Sequence, residues 1–345
     1  MSLTHIRMDD RTPLLEGLRG QTLRIPDLAS LLYPDWTVER HLNESQIRQE
    51  ILEEFGPRWY RDSRKLQILR DGDFVQLAAY FWAGSSLERF RAVAQFANWY
   101  FPWDDEIDCG KLRFDQERTI QYGRDTVSFL KWCLEPESYY PNRLPRPVFC
   151  TEHHTDCFEE IGVALQRGQS KEALRRYADS MYQYVAAVCD VQKQREVCIP
   201  RWEDYVEGRL DTIGVYPCLM AMEYAYDLSI PSWVYEHEAM TVMFRETSIS
   251  IFMINDIYSL KKEVAVNQSD SAVPLKMHHD GHINAQIALD EVIGDLTRSR
   301  KKFVAAEQRL LCTNQYNESS DNAKKDIQYL IRGCKNMMVG NIKWS

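Results

Sequence analysis

Apolar residues recur at spacings of three and four along most of the chain, and strictly alternating runs are few. That period predicts amphipathic helices, over residues 44–54, 72–81, 86–103, 115–134, 151–167, 170–196, 201–207, 212–226, 231–262, 283–311 and 322–343. Pro141, Pro145, Pro147, Pro200 and Pro231 punctuate them, because proline lacks an N–H and clashes with the preceding turn. No internal repeat and no linker marks off a second folded domain. The pattern therefore predicts an all-α fold: a loosely ordered segment over residues 1–25, then one helical bundle over 26–345 around a central cavity, with its sites on facing helices.

Two acidic motifs about 150 residues apart stand out from this pattern: Asp104-Asp105-Glu106-Ile107-Asp108, and Asn255-Asp256-Ile257-Tyr258-Ser259-Leu260-Lys261-Lys262-Glu263. In the second, Asn255, Ser259 and Glu263 fall at i, i+4 and i+8. A helix rises about 1.5 Å per residue, so these oxygens share one face over roughly 12 Å. Asp104 and Asp108 have the same i, i+4 relation. Acidic runs are usually solvated helix faces, and the first motif alone is a weak signal. The second follows the apolar run 249–254, where polar groups on a buried face are costly without partners. Hard divalent cations such as Mg²⁺ take oxygen ligands and commonly bridge to phosphates. Two such faces opposed across a cavity would hold a small Mg²⁺ cluster against a diphosphate.

Composition narrows the class. The chain has 345 residues, net charge −9 and a pI near 5.5, with no basic face, which argues against nucleic acid. Nine cysteines are scattered with no CxxC pair, which reads as reduced thiols in a cytoplasmic protein. Residues 1–17 have no apolar core of a signal peptide, and no run approaches 18 apolar residues, so no membrane span is expected.

On the two motifs the chain resembles the class I terpene synthases (terpene cyclases) of the microbial, fungal-type, single-domain kind, over roughly residues 25–345. The family's DDxxD/E motif matches at 104–108 and its NDxxSxxxE triad at 255–263, both complete. The resemblance implies a class I terpenoid synthase fold and a sesquiterpene cyclase, a carbon–oxygen lyase of isoprenoid secondary metabolism. Such an enzyme ionises farnesyl diphosphate with three Mg²⁺ ions and cyclises the carbocation to a hydrocarbon or alcohol. It implies metal ligation by Asp104, Asp108, Asn255, Ser259 and Glu263, with Asp105 in a salt bridge that reports closure. Arg209, 46 residues before Asn255, and Lys262 would hold the diphosphate; a forked, always-charged guanidinium suits that task. Phe81, Phe101 and Trp344 match aromatic positions that face the carbocation, where a desolvated ring attracts a cation by roughly 2 kcal/mol. The segment 211–214 matches a helix break whose backbone carbonyl assists ionisation, though Thr212 stands where relatives carry an acidic residue.

Other features read more plainly. Pro102 predicts either a helix end or a kink aiming Asp104 into the cavity. His278-His279-Asp280-Gly281-His282 resembles a metal motif, but the polar stretch 267–282 reads as a mobile loop, part of a lid. Arg298 to Lys302 reads as a solvated helix face. The family's C-terminal Arg-Tyr pair has no counterpart before Ser345, so weaker diphosphate binding is expected if nothing follows. Three alternatives stay open. They are a diterpene cyclase acting on geranylgeranyl diphosphate, a trans-prenyltransferase (disfavoured by the Asn/Ser/Glu triad), and a non-catalytic helical binding or scaffold protein. A monomer and a homodimer are equally compatible with the sequence.

Overall fold

The structure, a computed structural model, describes residues 11–60, 62–108, 110–113, 115–135, 145–150, 154–194 and 199–345, without the side chains of 191–194. Residues 1–10, Cys109, Pro141, Cys198 and the ends of two predicted helices (151–153 and 195–196) lie outside the described residues.

The chain is helical throughout, with no strand among the described residues. In order it forms α1 (Arg11–Leu18), α2 (Leu28–Leu32) and α3 (Glu44–Glu50), which passes through a π turn (Ile51–Phe55) into α4 (Gly56–Trp59). Next come α5 (Ser63–Gly72), α6 (Phe74–Phe81), α7 (Leu87–Asp108), α8 (Gln116–Leu134), a 3₁₀ turn (Thr155–Cys157), α9 (Phe158–Arg167) and α10 (Lys171–Gln194). The second half has α11 (Trp202–Thr212), α12 (Val215–Tyr226), α13 (Ser232–Glu236), α14 (Glu238–Ala265) and α15 (Ala272–Asp280). The chain closes with α16 (Ala285–Leu311), α17 (Asn314–Glu318) and α18 (Asp321–Trp344). Side chains of Asp27, Asp62, Asp73, Asp115, Asn284, Thr313 and Ser320 cap helix N-termini by accepting backbone N–H groups left without an intrahelical partner.

Helix α14 is the axis. Every residue from 246 to 254 is buried, which requires neighbours on all sides; α11, α12, α16 and α18 supply them. Helix α7 lies against α6, α9 and α12, and α10 against α8, α11 and α12. The C-terminal ends of α7 and α14 thereby face a common space.

Helix α7 does not end at Pro102; it runs through it to Asp108. The proline removes the N–H that would bond the Asn98 carbonyl four residues earlier. That carbonyl instead accepts from the buried Tyr60 hydroxyl at 2.9 Å, so the acidic motif stays on helix. Four other expectations change. Residues 11–18 of the expected loose lead-in form α1, which buries Leu15 and Leu18 and packs on α15. The helix predicted over 231–262 is two, broken at His237, whose Nδ1 caps Ala239 N–H at 3.1 Å. The helix predicted over 201–207 continues to Thr212. Residues 272–280, expected as part of a loop, form α15. Its Ala272, Val273, Leu275 and Met277 are buried, and Pro274 sits in the first turn where its missing N–H costs nothing.

Candidate active site

A cavity of about 710 Å³ opens between the C-terminal ends of α7 and α14. Asp104, Asp105 and Asp108 line one wall; Asn255, Ser259, Lys262 and Glu263 line the other. Phe74, Tyr100, Phe101 and Trp344 form its apolar lining, and Arg209 looks in from α11. The two motifs thus open onto one cavity, each presenting its i, i+4 oxygens to it.

Each wall is braced from behind. Asp104 accepts from the Tyr184 hydroxyl of α10 at 2.7 Å. Burial, then the charge of Asp104, push the Tyr184 phenol well above its ordinary range, which keeps it a donor. The Tyr184 ring stacks on Tyr100, centroids 4.8 Å apart. Tyr100 in turn demands a glycine at 214: a Cβ there would run into the Tyr100 hydroxyl, and the φ of +69° is one that other residues rarely adopt. Gly214 is also the break between α11 and α12 read from the segment 211–214, and Thr212 and Ile213 line the cavity beside it.

On the second wall Ser259 donates to Glu263 Oε1 at 2.6 Å. Glu263 Oε2 is buried with no hydrogen-bond partner. Burial first, then the charge of Asp256, push the Glu263 carboxyl up to about 7. Asp256, 1% exposed, turns away from the cavity. It pairs with Arg209 at 3.0 Å, accepts from the Tyr205 hydroxyl, and takes the Ala272 N–H at the start of α15 at 3.0 Å. Arg209 also reaches Asn255 Oδ1 at 3.4 Å. Arg209 is therefore held beside the second motif, in position to meet an anion in the cavity.

Asp105 makes no ion pair with a described residue. Burial raises its pKa while the charge of Lys262 opposes that rise. Lys262 is exposed at the mouth. The mouth is rimmed by residues 266–270, which accept from the Arg19 side chain (Asn267 Oδ1, 2.6 Å) and from Arg113 (Val266 carbonyl, 3.0 Å), and pair with Arg11 (Asp270, 3.4 Å).

The aromatic expectation needs one correction. Phe101 and Trp344 line the cavity, 5.6 Å apart, but Phe81 does not. It is 4% exposed and packs edge-on against Trp82. Phe74, two turns earlier on the same helix face, takes that place, stacked on Phe101 at 4.2 Å. The corner before α6 puts it there: Asp73 adopts a left-handed φ of 41° and caps the helix. Trp344 is fixed by its own N–H, which donates to the Gly72 carbonyl of the same corner at 2.8 Å.

Sequence reasoning also missed Asp256, Tyr184, Tyr100 and Phe74. A signal existed for Asp256 alone: an acid flanked by Ile254 and Ile257 on a buried helix must find a partner.

The donor set fits a hard cation. Asp104, Asp108, Asn255, Ser259 and Glu263 offer oxygen only, as Mg²⁺ prefers. The partnerless Glu263 Oε2 is the acceptor such an ion would satisfy.

The family model "Terpene synthase family 2, C-terminal metal binding" matches residues 95–302, which contain both motifs. Terpene cyclase braA of Annulohypoxylon truncatum is 30% identical over 342 residues, covering 98% of this chain and 88% of that protein. Silphinene synthase peniA of Penicillium patulum is 25% identical, covering 82% and 73%. The solved structure of a-eudesmol synthase superposes with a TM-score of 0.77 at 17% identity, covering 90% of this chain and 96% of that one. The chain belongs to the class I terpene synthases and is an enzyme, with that family's α-helical fold. No helix among the described residues is long and apolar enough to cross a membrane.

Proposed function

We propose that this enzyme is a Mg²⁺-dependent sesquiterpene cyclase that ionises farnesyl diphosphate. The observation that carries the reading is the opening of both acidic walls and a cluster of aromatic rings onto one cavity. Its 710 Å³ lies within the span of roughly 300–1,000 Å³ usual for pockets that take a whole small molecule.

In this reading Asp104 and Asp108 on α7, and Asn255, Ser259 and Glu263 on α14, would hold three Mg²⁺ ions. When bound, the metal supplies Lewis-acid stabilisation of the leaving diphosphate. Arg209 and Lys262 bind diphosphate oxygens; Asp256 and Tyr205 keep the Arg209 guanidinium aimed. The C–O bond of the allylic ester breaks, its electron pair leaving with the diphosphate. Phe74, Phe101 and Trp344 present π faces to the resulting cation and offer it no nucleophile. The same rings exclude water, which strengthens every charge interaction in the site. Loss of a proton ends the cascade as a hydrocarbon, and capture of one water with loss of a proton from its oxygen ends it as an alcohol.

Incubation with farnesyl and with geranylgeranyl diphosphate, each with and without Mg²⁺, tests substrate and metal together by mass spectrometry of a hexane extract. A cyclic C15 product that needs Mg²⁺ supports the proposal. Products from the C20 substrate alone would replace it with a diterpene cyclase, and chain elongation would make it a prenyltransferase.

A further inference from the structure

The turn that follows the second motif folds back onto it. Asn267, with a φ of 59°, donates to the Val264 carbonyl at 3.2 Å, and the Gln268 N–H bonds the Glu263 carbonyl at 2.9 Å. This is a Schellman closure, which reverses the chain at the end of α14. Four residues further on, the Ala272 N–H bonds Asp256 at 3.0 Å, so the start of α15 is drawn down against α14. Ser271, next to Ala272, is completely buried there. It precedes α15, yet its side chain does not cap that helix. Its hydroxyl lies beside the Glu263 carboxylate and acts against the pKa rise that burial imposes on it. Ser271 Oγ and Glu263 Oε2 are nevertheless both shut away from solvent with no hydrogen-bond partner. A buried hydroxyl that neither caps its helix nor meets water is costly to keep, and the acceptor beside it is a candidate metal ligand.

We propose that Ser271 is a positioning residue for the second acidic wall: its hydroxyl donates to the Glu263 carboxylate when that group ligates metal, and fixes its orientation. The proposal rests on the reading of Asn255, Ser259 and Glu263 as metal ligands. Ligating carboxylates are themselves held by outer hydrogen bonds, which set their direction and keep them ionised. A carboxylate can accept about four such interactions; Ser259 supplies one, so a metal ion and Ser271 fit together on the rest. The start of α15 then carries two tethers to α14. Its Ala272 N–H holds Asp256, the residue that aims Arg209, and its Ser271 side chain holds Glu263. One turn of backbone thereby sets both a metal ligand and the arginine that meets the diphosphate.

The test reads metal binding directly, by electron paramagnetic resonance of Mn²⁺ added to the full chain with inorganic diphosphate; Mn²⁺ takes oxygen ligands as Mg²⁺ does. Ser271→Ala should weaken Mn²⁺ binding about tenfold or more, the range for losing an outer hydrogen bond to a ligand. Its melting temperature without metal should not fall, because Ser271 Oγ has no partner to lose; a serine with only a structural role would give the opposite pair of results. Since the loss runs through Glu263, Ser271→Ala should cost nothing further in a Glu263→Gln background. Ser271→Cys, similar in size but a weak donor, should weaken binding as alanine does and separates the hydrogen bond from packing. Wild-type Mn²⁺ affinity in the Ser271→Ala protein, a lowered metal-free melting temperature, or equal penalties in the two backgrounds would each overturn the role of Ser271. Failure of the wild type to bind Mn²⁺ with diphosphate would overturn instead the metal-site reading beneath it.

Discussion

The Arg209 guanidinium lies 3.0 Å from the Asp256 carboxylate, an acid next in sequence to a candidate metal ligand yet pointing the opposite way. The arrangement explains how α11 and α14 act as one unit. Asp256 accepts three hydrogen bonds, from Arg209, Tyr205 and the first N–H of α15, so the anion-facing arginine, the second motif and the rim helix share one anchor.

Removing that anchor should cost stability and activity separately. Asp256→Ala leaves the largely buried Arg209 unpaired and should destabilise by about 3 kcal/mol, read in urea melts. Asp256→Asn keeps the volume and part of the hydrogen bonding, so it should retain more stability while turnover still falls. Equal melts for wild type and Asp256→Ala would refute the anchoring role.

Pro102 and Tyr60 make a second coupled pair. Tyr60→Phe leaves the Asn98 carbonyl buried without a donor and should cost about 1–3 kcal/mol. In a Pro102→Ala background, residue 102 can donate to that carbonyl itself, and the Tyr60→Phe penalty should shrink. A double-mutant cycle measures this directly; strictly additive penalties would show that Tyr60 does not compensate for the proline.

The two phenylalanines of α6 separate shape from stability. Phe74→Ala opens the cavity wall next to Phe101 and Trp344, and should change the product mixture and raise the share of water-trapped alcohols. Phe81→Ala should cost about 3–5 kcal/mol in stability with the product ratio nearly intact, since that ring lies off the lining. Gas chromatography of products from the two variants decides it; the reverse outcome would restore Phe81 to the cavity.

What the sequence disclosed, and what it hid, follows from the range of each interaction. The i, i+4, i+8 face of Asn255, Ser259 and Glu263 is a local property of one helix, and it was legible. Phe74 was hidden because residues 72–81 read as one helix, whereas Asp73 turns the chain through a left-handed corner that swings Phe74 inward. Helix α15 was hidden by the polar run 278–282, which masked the short apolar stretch Ala272-Val273-Pro274-Leu275 and its cap on Asp256. Tyr184 and Asp104 lie 80 residues apart, and only the packing of α10 beside α7 makes them partners.

Diphosphate release from farnesyl diphosphate as Mg²⁺ is titrated, for wild type, Asp104→Asn and Glu263→Gln, tests whether the two acidic walls work through bound metal. Wild type should release diphosphate only with Mg²⁺ and give a cyclic product. Each variant should lose on the order of 100-fold, the scale on which one electrostatic contact to a developing charge acts, and need higher Mg²⁺ for half-maximal rate. Release independent of Mg²⁺, or wild-type rates in both variants, would contradict it.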